Sequence, residues 1–136
     1  MNRNTGSFVT DTHPLAYYAD RRFSKMSKRA RRIFDDAQEG DVLICVPTIV
    51  LAELMILLRL DRLRIPQAFD KWCRELDADP GFSIEPLLWP DVDEMRQLPF
   101  KDPFDRMIVG TAKRLRLPLI TKDVDIADSG LVETVW

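Results

Sequence analysis

Four acidic residues stand where acids are least expected. Asp11, Glu53, Asp105 and Asp123 each interrupt an apolar run or close one. Between Val42 and Leu58 the one charged residue is Glu53, and its helical neighbours at three and four positions are Ile49, Val50, Ile56 and Leu57. No rotation of such a helix gives Glu53 a polar face, and burying an unpaired carboxylate costs on the order of several kcal/mol. A cation, a metal or a hydrogen-bond donor should therefore meet it. Asp105 lies in KDPFDRMIVGTAKRLRLPLITKD, Lys101 to Asp123, where Asp102 reads as a helix N-cap and Pro103 as the first helical residue. Asp105 shares a helical face with Ile108, Val109 and Ala112, the stripe that packs inward. Its alternative role is the acid of a capping box. Asp11 ends SFVTD, and Asp123 follows the short apolar stretch Pro118 to Thr121. Both are thus expected at the carboxyl ends of strands, where open α/β sheets bind ligands.

Carboxylates gathered in one place repel one another unless cations sit between them. An oxygen-only donor set with few histidines suits Mg²⁺ or Mn²⁺ and not Zn²⁺. Such ions, singly or as a pair about 4 Å apart, activate a water and stabilise the oxyanions of an in-line phosphoryl displacement. The chemistry expected of Asp11, Glu53, Asp105 and Asp123 is therefore phosphodiester hydrolysis. Several neighbours have two readings. Thr12 and Thr121 either orient water through their hydroxyls or simply sit at strand ends. Asp102 is first a cap and second a metal contact. Asp123 and Asp125 are either turn residues or a ligand with an outer contact, in that order. His13 is either a solvated turn residue or a neighbour of the substrate.

The elements needed to position these side chains are legible as an alternation of strands and helices. Ser7 to Asp11 reads as a first strand, Thr12-His13-Pro14 as a turn out of it, and Ala16 to Ala19 as a brief helical turn. A basic helix starting near Ser24 or Ser27 runs to Glu39, with Ala30, Ile33, Phe34 and Ala37 inward and Gly40 as its stop. Val42 to Val46 is a second strand, and Thr48 is placed to cap the helix TIVLAELMILLRL. Pro66 starts a helix through PQAFDKWCRELDAD with Phe69, Trp72, Cys73 and Leu76 inward, and Pro80-Gly81 ends it. Phe82 to Leu87 alternates as a strand, and Pro90 opens a short acidic helix to about Leu98. After the Asp102 helix and the Pro118 strand come a polar turn at Asp128-Ser129-Gly130 and a terminal strand, Leu131 to Trp136. The pattern predicts an α/β fold with a mainly parallel central sheet flanked by helices.

At 136 residues, 46% of them hydrophobic, the chain fits one domain, residues 1–136, with a proper core. It shows neither a long uncharged apolar run nor a signal region, which predicts a cytoplasmic protein with no membrane contact. Cys45 and Cys73 lack metal or redox spacing and read as reduced core residues. The formal net charge is −2; setting four clustered carboxylates aside leaves +2, so the acidic balance does not exclude a polyanionic partner. Arg21, Arg22, Lys25, Lys28, Arg29, Arg31 and Arg32 put seven cations in twelve residues without an acid. That block is either a solvated helix face or a contact for RNA phosphates or an acidic protein, and Arg106 could serve either side.

FVTDTHPLAYY, PTIVLAEL, DPFDRMIVGTA and LPLITKD, in this order and at these distances, resemble the PIN domain, especially the VapC-type toxins of bacterial toxin–antitoxin pairs. The resemblance extends over nearly the whole chain, including the ending DSGLVETVW. It implies a parallel, Rossmann-like sheet and a metal-dependent endoribonuclease with Asp11, Glu53, Asp105 and Asp123 as its acidic metal site. It also implies a cognate antitoxin as partner and frequent dimerisation. Two other functions compete. A response-regulator receiver domain also has acids at strand ends and a lysine after a late strand, as Lys122 is here, but it needs an acidic pair after strand one and a phospho-acceptor aspartate ending strand three, where this chain has DTH and a helical glutamate. A PIN-like module that binds RNA or a partner without cutting keeps the fold but is expected to lose acids.

Overall fold

A computed structural model describes residues 6–136. β1 (Ser7–Thr10) leads into α1 (Thr12–Ala19), and a 3₁₀ turn (Phe23–Lys25) separates it from α2 (Lys28–Gln38). β2 (Leu43–Pro47), α3 (Thr48–Arg59), α4 (Phe69–Ala78), β3 (Phe82–Glu85) and α5 (Trp89–Glu94) follow. A second 3₁₀ turn (Met95–Gln97), α6 (Pro103–Leu115), β4 (Leu119–Ile120), α7 (Val124–Ser129) and β5 (Thr134–Val135) complete the order. The five strands form one parallel sheet in the order β3-β2-β1-β4-β5, flanked by helices. That order runs one way from β1 through β2 to β3 and the other way through β4 to β5. The chain therefore reverses between β1 and β4, and an open parallel sheet leaves a crevice outside the carboxyl ends at such a point. A receiver domain has the order 2-1-3-4-5, so that rival does not fit; here β3 ends at Glu85, whose carboxylate pairs with Arg114 at 2.9 Å.

The core forms where the apolar stripes predict it. Ala30, Ile33, Phe34 and Ala37 of α2 and Ile108, Val109 and Ala112 of α6 have no exposed surface. Ser27 caps α2, its Oγ accepting from the Ala30 N–H at 3.0 Å, and Gly40 at φ 80° lies just past the end. Asp102 caps α6, accepting from the Phe104 N–H at 2.8 Å, with Pro103 in the first turn. Gly81 permits a close approach of β3 to α2: a Cβ there would lie 1.8 Å from the Ala37 carbonyl oxygen. Arg114 ties α6 to α5 and β3 through Asp91, fully buried at 2.7 Å, and Glu85.

Several boundaries differ from the sequence-based expectation. Thr12-His13-Pro14 is the first turn of α1, because Asp11 accepts from the Thr12 N–H and proline costs nothing so early in a helix. Thr48 does not cap α3; its hydroxyl donates to the Glu85 carbonyl at 3.0 Å, fastening α3 to the end of β3. Pro66 does not start α4. Helix begins at Phe69, and the Gln67 amide beside Pro66 donates to Glu75. Of the two starts offered for the basic helix, Ser27 is the one taken, as the cap before Lys28, and Ser24 falls in the separate turn Phe23–Lys25. The expected turn at Asp128 is the last part of α7, and Gly130 at φ 66° ends it. In the last segment, Thr134–Val135 alone is strand. Cys45 is buried, Cys73 half-buried, and both thiols are free. No described helix is long and apolar enough to cross a membrane.

Candidate functional site

Asp11 follows β1 and Asp123 follows β4, so the chain reversal sets both acids beside one crevice. Glu53 enters from the middle of α3 and Asp105 from the first turn of α6. All four line one cleft of about 340 Å³, together with Asp102, Asp125, Val124, His13 and Lys122. Asp11 is 6% exposed. Its Oδ1 accepts from the Thr12 N–H at 2.8 Å and its Oδ2 from the Thr121 hydroxyl at 2.7 Å. The same Thr121 oxygen accepts from the Asp123 N–H at 3.0 Å, so one hydroxyl joins the two strand ends. Asp123 caps α7, accepting from the Ile126 N–H at 3.1 Å. Glu53 accepts from the Thr12 hydroxyl. Thr12 and Thr121 thus spend their hydroxyls on carboxylates, which fixes the orientation of Glu53 and Asp11.

Electrostatics sets Asp105 apart. Burial, followed by the charges of Asp11, Asp102, Asp123 and Glu53, pushes its carboxyl up to about 7. Among the described residues nothing donates a hydrogen bond to it, and the capping-box role considered for it is not formed, since Asp102 accepts from Phe104. Burial also raises Glu53, helped by Asp11 and Asp102 and opposed by the Thr12 hydroxyl. Asp11 is raised by burial against the pull of its two donors. No described cation forms an ion pair with any of the four.

The profile of the PIN domain family matches residues 8–130 of the sequence. The chain belongs to the PIN domain family. No curated relative matches by sequence. Solved structures share the fold: a chain of VapBC2 from Rickettsia felis bound to a DNA fragment from their promoter has a TM-score of 0.67 at 12% identity, with 95% of this chain and 97% of that one covered. FitAcB from Neisseria gonorrhoeae gives 0.64 at 20%, with 95% and 96% covered. A toxin–antitoxin complex from Klebsiella pneumoniae gives 0.60 at 21%, with 94% and 95% covered.

In this PIN domain the expected acids reach one cleft, while the basic block lies elsewhere. Arg22 pairs with Asp20 at 2.6 Å, and Arg31 lies 4.0 Å from the centroid of Phe23 and 3.7 Å from Asp35. Lys28, Arg29 and Arg32 are exposed on α2, and Arg21 borders a separate groove with Arg64. Lys25 alone approaches the site's surroundings, 5.8 Å from the ring of Tyr17. Arg106 donates to the Phe100 carbonyl. The sequence did not single out Lys122 as a lining residue; it sits between Thr121 and Asp123, and what places it is Tyr17, 105 residues away in the chain.

The acids suit a hard divalent cation by donor chemistry: they are oxygens, half-buried or buried, with no ion-pair partner among the described residues, and burial together with the neighbouring acids raises Asp105 to about 7. Among the described residues no three histidines, cysteines or acids stand close enough to hold an ion as placed. The carboxylates ring the cleft at distances where they feel one another's charge.

Proposed function

We propose that this PIN domain, a single domain over residues 1–136, is a metal-dependent endoribonuclease that hydrolyses RNA phosphodiester bonds, and the toxin of a toxin–antitoxin pair. The observation that carries the catalytic reading is the convergence of Asp11, Glu53, Asp105 and Asp123 from four separate elements on one cleft, with no described cation in an ion pair with any of them. PIN domains are generally nucleases, which supports the class of reaction. Asp11, Glu53, Asp105 and Asp123 would hold Mg²⁺ or Mn²⁺. Such an ion supplies an activated water and neutralises charge on the phosphate during in-line displacement. The chain's own part is to hold Asp11 between the Thr12 N–H and the Thr121 hydroxyl and to aim Glu53 through Thr12. Asp105, which has no donor among the described residues, is the acid freest to move onto an ion. Asp102 and Asp125 border the cleft as outer carboxylates.

The antitoxin is supported by likeness: solved structures of this fold include a toxin–antitoxin complex and VapBC2 on its promoter DNA. Exposed apolar side chains give a protein partner, or a second copy in a homodimer, something to cover. Trp89 is 79% exposed beside Leu88 and Val92, and Ile56 and Leu60 are exposed at the end of α3. The basic residues Lys28, Arg29 and Arg32 suit either an acidic antitoxin or RNA. The test is incubation with a mixed RNA pool in Mg²⁺, Mn²⁺ or EDTA, with the cut ends typed. Hydrolysis by activated water gives 5′-phosphate and 3′-hydroxyl ends and stops in EDTA. Cyclic 2′,3′-phosphates, or full activity in EDTA, overturn the mechanism, and an inert protein in every buffer favours a module that binds without cutting.

A further inference from the structure

We propose that Lys122, held in place by Tyr17, binds a phosphate of the RNA strand at the lip of the acidic cleft; this rests on the ribonuclease reading above. The cleft poses a problem for a polyanion. Six carboxylates line it, those of Asp11, Glu53, Asp102, Asp105, Asp123 and Asp125, against Lys122 and His13 as the basic side chains. Metal ions offset the charge at the reacting phosphate, but the next phosphate along the strand still meets the outer acids and needs a cation of its own.

Lys122 is placed for that role by an arrangement that Coulomb attraction alone would not produce. It sits next to Asp123 in the chain and lines the same cleft as the acids, so an ion pair is the expected outcome for its ammonium. Among the described residues it forms none. Its Nζ donates to the Tyr17 hydroxyl and lies 4.8 Å from the centroid of that ring. Tyr17 is 9% exposed and packs in α1, the helix that Asp11 caps, so the phenol is anchored to the same element as the site. An ammonium has three donors. One is used by Tyr17, and the others remain for an incoming oxyanion. The ring face also favours a cation beside it, which offsets the pull of the carboxylates.

Tyr17 gathers two more basic groups. The Lys25 ammonium lies 5.8 Å from its centroid, and the His13 ring centroid 6.0 Å away. Lys25 precedes α2, whose exposed Lys28 and Arg29 follow in the chain. A strand leaving the acids over Lys122 thus meets a second ammonium, that of Lys25, on the same tyrosine. Lys122 is the phosphate contact in this scheme and Tyr17 a positioning residue that keeps it off the acids.

The test uses a fluorescein-labelled, random-sequence 20-nucleotide RNA, with binding followed by anisotropy over a salt series in EDTA, which stops cutting by the proposed mechanism. Lys122→Met should weaken binding about tenfold and lower the salt slope by about 0.7, the value of one single-strand phosphate contact. Lys122→Arg should retain both, and Tyr17→Phe, which keeps the ring and removes the acceptor, should fall between. With Mg²⁺ present, Lys122→Met should raise KM more than it lowers kcat and leave the Mg²⁺-induced rise in melting temperature unchanged. An unaltered slope and affinity in Lys122→Met, with wild type cutting RNA normally, overturns this proposal alone. Loss of the Mg²⁺ response in Lys122→Met also overturns it, by making Lys122 a support of the acids. Failure of wild type to bind or cut RNA in Mg²⁺ and Mn²⁺ removes the ribonuclease reading, and this one with it.

Discussion

Among the described residues Glu53 has one hydrogen-bond donor, the Thr12 hydroxyl, and no ion-pair partner, although burial and the charges of Asp11 and Asp102 press it toward its neutral form. Glu53→Gln keeps the shape and removes a charge that its neighbours disfavour. Without metal the variant should melt at or above the wild-type temperature. Mg²⁺ at 100 times its dissociation constant stabilises a one-site protein by about 2.7 kcal/mol, and the variant should lose most of that gain. Loss of outer partners already costs metal sites about 10–100-fold, so RNA cleavage should fall by more than about 100-fold. A variant equally destabilised in Mg²⁺ and EDTA would instead mean that Glu53 is a structural acid. At this scale the sequence is informative where a residue contradicts its own neighbours. Glu53 stands out because nothing within a helical turn can satisfy it. Lys122 does not, because a lysine after a strand is ordinary, and what makes it unusual is a phenol 105 residues away.

Elements were legible in proportion to how much local chemistry specified them. α2 and α6 each have a capping side chain, an apolar stripe and a definite end, and both lie within a residue or two of where the sequence puts them. α7 was missed because VDIADS is too short to show a stripe; its start depends on Asp123 serving as cap. α1 was underestimated because proline at the third helical position resembles a break, while Asp11 upstream supplies the missing cap. The packing of elements leaves even less trace. Gly81 follows a proline and reads as a helix stop, yet it is also where β3 meets the end of α2, with the Ala37 carbonyl where a Cβ would go. A methyl group 1.8 Å from a backbone oxygen forces the two elements apart. Overpacking of this kind typically costs about 1–3 kcal/mol, and a backbone obstacle puts Gly81→Ala at the upper end. Because Gly81 also accepts from the Ile44 N–H at 2.9 Å, the β2–β3 ladder should loosen with it. Urea melts of Gly81→Ala and wild type measure the loss, and hydrogen exchange at Ile44 should quicken. Equal midpoints would show that the approach is not tight in solution.

For the whole molecule, the acidic cleft makes folding stability depend on pH in the direction opposite to that of salt-bridged acids. Asp105 has a pKa of about 7 in the folded protein against an ordinary 3.8. Between those values the folded chain keeps a proton that the unfolded chain has released, so stability falls as pH rises from about 4 to about 7 and levels off above. Asp11 and Glu53 are raised as well and act in the same sense. Asp105 is half-buried, and solvent screening reduces the effect; in EDTA the melting temperature should drop by about a few degrees between pH 5 and pH 8. On the proposed reading Mg²⁺ binds the ionised carboxylates, so its stabilisation should grow over the same interval and oppose the drop. Asp105→Asn removes the main titrating group: in EDTA its melting temperature should vary less with pH and exceed wild type at pH 8, and Mg²⁺ should add little at any pH. Melts of both proteins at pH 5, 6, 7 and 8, with Mg²⁺ and with EDTA, decide the matter. A wild-type curve that rises with pH in EDTA, or a variant that keeps the wild-type slope, would mean that Asp105 is not held buried among the other acids as the cleft requires.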